Sequence, residues 1–293
     1  MQDAALMQLR RITLPLRRVT GAILILELVR KMFARAGRPV WVSDFDGHLR
    51  LRLRLDEHMQ SQIFWYGYYS RDIVLLLDRL LRPGMVVCDV GANIGEITLA
   101  AARRVGAGGR VYAFEPMPAL YARLCEHLSL NGIQQVTAVP MGLADRGGRA
   151  VIYRRDTPYA DGTVNEGLGS LFADGQRSSA AGEIELTTLD DYCAQAGIER
   201  LDLLKIDVEG AELAVLRGGA KTIERYRPFI IVEVQEQTAD NAGYTVQELI
   251  FWLLARGYTL FTIGRKGRLH RFVPERREEF QNVLAVPAGV DAP

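Results

Sequence analysis

Five short apolar runs, at 85–90, 111–114, 136–139, 201–206 and 229–234, alternate with windows of helical periodicity near 96–105, 118–131, 188–196 and 211–226. Strands that are almost wholly apolar need cover on both faces. The intervening helices supply it, so the alternation specifies an α/β fold around a parallel sheet. Thr188-Leu189-Asp190-Asp191 and Thr245-Val246-Gln247-Glu248 have capping-box form and place two helix starts. Pro83-Gly84 stops a helix over 72–81, and Gly257 stops the one begun at 245. The tail breaks the rhythm. Tyr258 to Ile263 and Asn282 to Val286 flank a charged stretch without room for a crossover helix, which predicts an antiparallel pair at one sheet edge.

Ahead of the alternating region, Val40 to Phe45 and His48 to Leu55 read as a β-hairpin about Asp46-Gly47. On the return strand Leu49, Leu51, Leu53 and Leu55 alternate with Arg50, Arg52 and Arg54, giving one buried face and one solvated basic face. Val19 to Val29 carries Glu27 and falls short of the roughly 18 to 20 apolar residues of a membrane span. It reads as an amphipathic helix packed on the domain, with peripheral membrane contact through basic residues of 1–36, Arg10, Arg11, Arg17 and Arg18 among them, as the alternative. Ala34-Arg35-Ala36 has the form of a cleavage site. Arg30 and Lys31 stand between it and the apolar run, which argues against a cleaved signal.

Composition closes off other classes. The 293 residues are 48% hydrophobic, and 36 basic against 35 acidic side chains leave a net charge of +1, too weak a field to draw nucleic acid. The three cysteines, Cys88, Cys125 and Cys193, form no C-x-x-C, so neither a disulfide framework nor a thiolate zinc site is expected, and a reducing cytoplasm is the expected location. No two histidines stand within four residues of each other, so a helical metal pair is absent.

The chemistry is carried by the stretch from Val86 to Thr98, a buried strand running through Asp89, Gly91, Ala92, Asn93 and Gly95 into a helix. Open α/β sheets bind ligands at this carboxyl edge, where glycines admit a close backbone and a helix start offers free N–H groups. The next strand ends at Glu115, an acid placed to accept both hydroxyls of a ribose. Asn93 stands where a dinucleotide fingerprint needs its middle glycine, and Asp89 repels pyrophosphate but suits an ammonium. S-adenosylmethionine, with a ribose, an ammonium and no phosphate, fits these residues; a nicotinamide cofactor is disfavoured.

The strings Asp89-Val90-Gly91-Ala92-Asn93-Ile94-Gly95, Ala113-Phe114-Glu115-Pro116 and Leu204-Lys205-Ile206-Asp207-Val208-Glu209-Gly210-Ala211-Glu212 closely resemble the FkbM family of methyltransferases. Phe45-Asp46-Gly47, Leu130-Asn131, Gly142-Leu143-Ala144-Asp145 and Thr188-Leu189-Asp190 extend the resemblance, which runs from about Asp44 to Val286. It implies a Rossmann-like class I sheet of seven mostly parallel strands with an antiparallel last strand, behind an N-terminal helix and β-hairpin. It also implies S-adenosyl-L-methionine as cofactor and transfer mostly to hydroxyl oxygens of sugars, polyketides and other secondary metabolites. One departure is Tyr68-Tyr69-Ser70-Arg71, where a glycine-aromatic-acid sequence is expected after Gly67.

The expected organisation is therefore residues 1–82 as a cap or homodimer contact and 83–293 as the cofactor-binding methyltransferase domain. The irregular stretch 153–182 is an inserted acceptor loop, with Tyr153, Tyr159, Asn165, Ser170 and Phe172 as candidate contacts. Asp89, Gly91, Ala92, Asn93 and Gly95 are assigned to the methionine part and Glu115 to the ribose. Gly142 and Leu143 frame the adenine, and Asp207 faces the sulfonium. Asp207, Glu209 and Glu233 are the catalytic candidates for taking or orienting a hydroxyl proton on a small-molecule or glycan acceptor. Mg2+ held by Asp207 and Glu233 is the open but disfavoured alternative, and no metal ligand set is assigned. Glu212 is the most structural of these acids, Lys205 is expected to pair with one of them, and His127 is placed on a solvent face.

Overall fold

The computed structural model describes residues 2–15, 22–33, 37, 39–154, 158–159, 161–164, 167, 169–173, 179–274 and 278–293. Arg17, Arg18, the Ala34–Ala36 segment and Asn165 lie outside the described residues. The chain opens with helices α1 (Gln2–Thr13) and α2 (Ala22–Phe33), followed by the expected hairpin, β1 (Pro39–Phe45) and β2 (Leu49–Arg54). Phe45 pairs with Leu49, so the connection has three residues rather than two, with Asp46 and Gly47 both at positive φ. Helices α3 (His58–Tyr66) and α4 (Arg71–Leu80) lead into the sheet. The α1 and α3 helices have no counterpart in the sequence reading.

Strands β3 (Val86–Val90), β4 (Arg110–Phe114) and β5 (Val136–Val139) alternate with α5 (Glu96–Val105) and α6 (Pro118–Leu130). A side sheet follows, made of β6 (Gly142–Leu143), β7 (Gly148–Arg154) and β8 (Ser179–Thr187). The main sheet resumes through α7 (Leu189–Gln195), β9 (Leu203–Ile206), α8 (Glu212–Gly218), α9 (Ala220–Tyr226) and β10 (Phe229–Gln235). It closes with α10 (Glu236–Asn241), α11 (Val246–Ala255), β11 (Tyr258–Ile263), β12 (Leu269–Arg271) and β13 (Phe280–Pro287).

The main sheet has the order β12-β11-β13-β10-β9-β3-β4-β5. From β10 to β5 every pairing is parallel, and β13 runs antiparallel between β10 and β11. The Rossmann-like class I architecture is thus present with eight strands instead of seven, because β12 adds to the outer edge of β11. The helical window 211–226 is broken between α8 and α9. A Cβ on Gly218 would lie 2.0 Å from the Ala144 carbonyl oxygen, and one on Gly219 2.8 Å from Leu189 Cδ2, so the chain turns where only glycine fits against β6 and α7. The irregular stretch 153–182 is shorter than its sequence suggests. Its first two residues belong to β7 and its last four to β8, whose hydrophilic alternation reflects a sheet with much of its surface in solvent.

Cover lies on both sheet faces, as the apolar strands require. Ile73, Leu77, Ala101 and Val105 pack with Val87, Val111 and Leu284 on one face. On the other, Leu189, Leu213, Leu216, Ile223 and Leu253 pack with Val90, Leu204 and Val232. The hairpin joins a third cluster, in which Phe45, Leu51 and Leu53 meet Ile63, Trp65, Leu120 and Leu124. Asp46 pins its turn to the body, accepting from Arg103 at 2.9 Å, Arg104 at 2.7 Å and the Tyr68 hydroxyl at 2.9 Å.

His127 corrects its expected placement. It is fully buried, its Nδ1 is 2.7 Å from the Ile94 carbonyl, and its Nε2 is 3.1 Å from the Arg52 N–H. One neutral tautomer satisfies both contacts, and burial lowers the ring's pKa, so the residue is a neutral clasp between β2 and α6. On the basic face of β2, Arg52 pairs with Glu126 at 3.0 Å and Arg54 with Asp56 at 2.9 Å. Helix α2 buries Leu26 and Arg30 and leaves Leu24, Leu28 and Met32 exposed, and no described helix is long and apolar enough to cross a membrane.

Candidate active site

A cleft of about 1200 Å3, counted out to its open mouth, lies at the carboxyl ends of β3, β4, β9 and β10. Gly91, Ala92, Asn93, Glu115, Gly142, Leu143, Asp207, Glu209 and Glu233 all line it. Asp89 and Gly95 do not, although they belong to the same motif.

The glycine turn takes its shape from chain packing. Gly91 has φ of +79°, and a Cβ there would lie 1.9 Å from the Asp207 carbonyl oxygen; Gly95, at +96°, would meet Leu124 Cδ1 at 2.7 Å. Chain packing alone thus requires glycine at both positions, where the β9 loop and helix α6 come close, and Gly91 also borders the cleft. Asn93, at φ +52°, takes up the left-handed backbone that a glycine would, while its Oδ1 accepts the Ile94 N–H at 2.7 Å.

Asp89 is wholly buried, where parallel pairing sets it directly beside Lys205. Its Oδ2 accepts from Thr98 Oγ1 at 2.6 Å, and its Oδ1 lies 3.3 Å from Lys205 Nζ. It has no exposed surface and does not line the cleft, whereas its partner Lys205 does. The Lys205 ammonium also donates to the Gly91 carbonyl at 2.9 Å and lies 3.5 Å from Asp207 Oδ2. Burial opposes its charge, yet the adjacent Asp89 and Asp207 carboxylates outweigh burial and raise its pKa. The expected pairing of Lys205 with an acid is what the geometry gives.

Glu115 is held by two backbone donors, the N–H groups of Asn93 at 2.8 Å and Met117 at 2.9 Å. Burial lifts its pKa to about 7 against those hydrogen bonds. Glu96, the first residue of α5, was not singled out in the sequence. It accepts from the N–H groups of Tyr69 at 2.6 Å and Ser70 at 3.0 Å, and burial raises its pKa to about 7. The cleft edge at the Ser70 departure is thus closed by an acid from α5. No local signal marks it, because an acid at a helix start ordinarily reads as a partner of the helix dipole.

On the far wall, Glu212 accepts from the N–H groups of Val208 and Gly210, each at 3.1 Å, and from the Tyr244 hydroxyl at 3.0 Å. It shapes the loop that carries Asp207 and Glu209, with Glu209 at φ +55°. Ser170 Oγ donates to the Glu209 carbonyl at 2.7 Å, so the inserted stretch is tied to this loop, and Phe172 packs near Gly210. Tyr159 of the same stretch stacks on His58 at 4.1 Å, and Asp161 pairs with Arg30 at 2.6 Å. Glu233 is 7% exposed, and its Oε2 has no hydrogen-bond partner among the described residues. Burial, then the nearby Asp207 and Glu209, push its pKa well above the ordinary carboxyl range. Asn282, also on the cleft wall, is the β13 partner of Glu233 in register.

A family model described as the methyltransferase FkbM domain matches residues 89–260, more than half of the chain. The chain is 33% identical over 199 residues to the AMB antimetabolite synthetase AmbE of Pseudomonas aeruginosa, covering 57% of this chain and 9% of that protein. It is 32% identical over 180 residues to the 2-O-methyltransferase NoeI of Sinorhizobium fredii, covering 57% of this chain and 69% of that one. To the 31-O-demethyl-FK506 methyltransferase FkbM of Streptomyces tacrolimicus it is 35% identical over 167 residues, 47% of this chain and 60% of the relative. The matched span runs from the end of β3 through β10 and so takes in the cleft-forming strand ends, and on that ground the chain belongs to the FkbM methyltransferase family.

Proposed function

We propose that the protein is an S-adenosylmethionine-dependent O-methyltransferase acting on a hydroxyl of a small molecule or sugar. The observation that carries the reading is Glu115, an acid on the cleft wall whose two oxygens are fixed by the Asn93 and Met117 N–H groups beside the glycine turn. The cleft's charge supports it as well. Among the described residues five acids and a single ammonium line the wall, a surface too poor in cations to suit a pyrophosphate. The names of NoeI and the Streptomyces FkbM, both methyltransferases with a numbered oxygen position, support oxygen as the atom modified.

S-adenosylmethionine, when bound, supplies an electrophilic methyl group to the acceptor oxygen. Glu115 binds the ribose hydroxyls, Gly142 and Leu143 border the adenine, and the Gly91–Asn93 backbone holds the methionine part. Lys205 takes the place first assigned to Asp89 and faces the methionine carboxylate, with Asp89 behind it as counter-ion. Asp207 or Glu209 orients the acceptor hydroxyl and holds its proton, and alignment of the reacting atoms provides much of the rate. Ser170 and Asp161 of the inserted stretch, bonded to the Glu209 carbonyl and to Arg30, stand on the acceptor side.

Calorimetric titration with S-adenosylmethionine, S-adenosylhomocysteine and NAD+ tests the reading. Micromolar binding of the first two and silence toward NAD+ is expected, with Glu115→Ala weakening S-adenosylhomocysteine by on the order of tenfold or more, the loss of hydrogen bonds to a charged group. Response to NAD+ alone overturns the methyltransferase reading, and full affinity in Glu115→Ala overturns the placement of the ribose.

A further inference from the structure

The acids of the far wall do more than line a cleft. One oxygen each of Asp207, Glu209 and Glu233 lies within 4.8 Å of the others. Adjacent acids at a sheet edge are common, and three of them alone indicate nothing. Glu233 differs from the ordinary case because it sits inside β10, is 7% exposed, brings a carboxylate oxygen into the group, and has an Oε2 with no hydrogen-bond partner among the described residues. A buried polar oxygen without a donor carries a desolvation cost that folded chains rarely leave unmet. The antiparallel register places Asn282 of β13 directly across from Glu233, so a neutral amide stands on the same face of the sheet at the same height.

Charge points the same way. Among the described residues Glu96, Glu115, Asp207, Glu209 and Glu233 line the cleft against the single Lys205 ammonium. Lys205 is engaged largely by Asp89 and the Gly91 carbonyl, and its approach to Asp207 is the longer one, at 3.5 Å.

We infer that Asp207, Glu209 and Glu233, with Asn282 beside them, form a binding site for a hard divalent cation, Mg2+ or Mn2+. The donor set is all oxygen, which selects such ions over zinc or copper. An octahedral Mg2+ with bonds of about 2.1 Å spans about 3 Å between neighbouring ligands, so the three carboxylates close on it with small side-chain movements and leave coordination positions open. The site lies at the acceptor end of the cleft, where a cation holds a hydroxyl oxygen and lowers its pKa. That last use rests on the methyl-transfer reading; the cation site itself does not.

Mn2+ serves as the probe, because its paramagnetic resonance signal is lost on binding. The full-length protein is titrated with Mn2+ and then with Mg2+ as competitor, and S-adenosylhomocysteine affinity is measured on the same samples. A single Mn2+ displaced by Mg2+ is expected. Glu233→Gln should weaken it by on the order of tenfold or more while S-adenosylhomocysteine affinity stays within about twofold, as for a lost metal ligand away from the cofactor. If Glu233→Gln does not fold, Asn282→Leu is read by the same criterion. A protein that binds S-adenosylhomocysteine but no Mn2+ at millimolar concentration overturns the inference and leaves the methyltransferase reading standing. Equal Mn2+ affinity in wild type and variant overturns it too. Mn2+ binding by a protein deaf to S-adenosylhomocysteine upholds the cation site and sinks the cofactor reading instead.

Discussion

Replacing Lys205 with methionine should be among the most costly single changes in the chain, and the reason lies behind the cleft. Methionine fits the apolar strand β9 about as well as the lysine stem does, so packing is nearly conserved. What is lost is the countercharge for Asp89, a carboxylate with no exposed surface whose remaining partner is the Thr98 hydroxyl. Removing one member of a buried pair strands the other, at a cost of about 3–5 kcal/mol. For a chain of this size each kcal/mol moves the midpoint by about 2–4 °C, so Tm should fall by roughly 10 °C. Urea denaturation of Lys205→Met, Asp89→Asn and the double variant measures the coupling. The double variant should be more stable than the sum of the single losses implies, because the neutral amide of Asp89→Asn no longer asks for a cation. A Lys205→Met protein within about 1 kcal/mol of wild type would refute the claim that this ammonium neutralises buried charge.

Two further outcomes follow from the same walls. Glu96 titrates near 4.5 in an unfolded chain and about 7 in the fold, so the folded state holds the extra proton between those values. Its stabilisation is complete below pH 4.5 and is lost as the pH rises through 7, a change of about 3 kcal/mol that Glu96→Gln should remove from a urea series between pH 5 and 8. An unchanged slope in that variant would show that the titrating group is elsewhere. Gly95→Ala should cost about 1–2 kcal/mol, the strain of a left-handed alanine against a Leu124 methyl that can move aside. Gly91→Ala should cost clearly more, because its neighbour is the Asp207 backbone carbonyl; the reverse order in thermal unfolding would contradict the packing argument.

The reach of the sequence varied with the kind of force involved. Strands β3, β4, β5 and β10 were legible within a residue or two because their runs are mostly apolar, although only β3 and β10 are buried almost throughout. The capped starts of α7 and α11 were legible because Thr188 and Thr245 accept from backbone N–H groups three residues on. Helix α3 was not, since apolar and polar residues alternate without period in a helix walled in by the hairpin and α1. β7 and β8 were hidden for the opposite reason: a side sheet with exposed faces leaves no apolar signature. His127 was misplaced because a mid-helix histidine looks solvent-facing until the hairpin is known to cross over it.

The motif residues illustrate a subtler limit. Asp89, Gly91 and Gly95 are recognisable by their types and spacing, and spacing alone suggests that all three touch a ligand. The geometry divides them. Gly91 and Gly95 are small because a carbonyl and a leucine need their space, and Asp89 is acidic because Lys205 stands beside it in register. The residues that present chemistry to the cleft come from distant stretches: Glu115 from the end of β4, Glu96 from α5, Asp207 from the end of β9, Glu233 from inside β10. Their meeting depends on a parallel register across four strands, and on β13 running antiparallel beside β10 to bring Asn282 level with Glu233. A one-residue slip of β13 would turn Asn282 to the opposite face and remove it from the cleft. The carboxylates at this edge are therefore held in place by the most regular part of the molecule, and a buried, unpartnered Glu233 oxygen there is a feature that the rigid sheet sustains and that a bound cation would relieve.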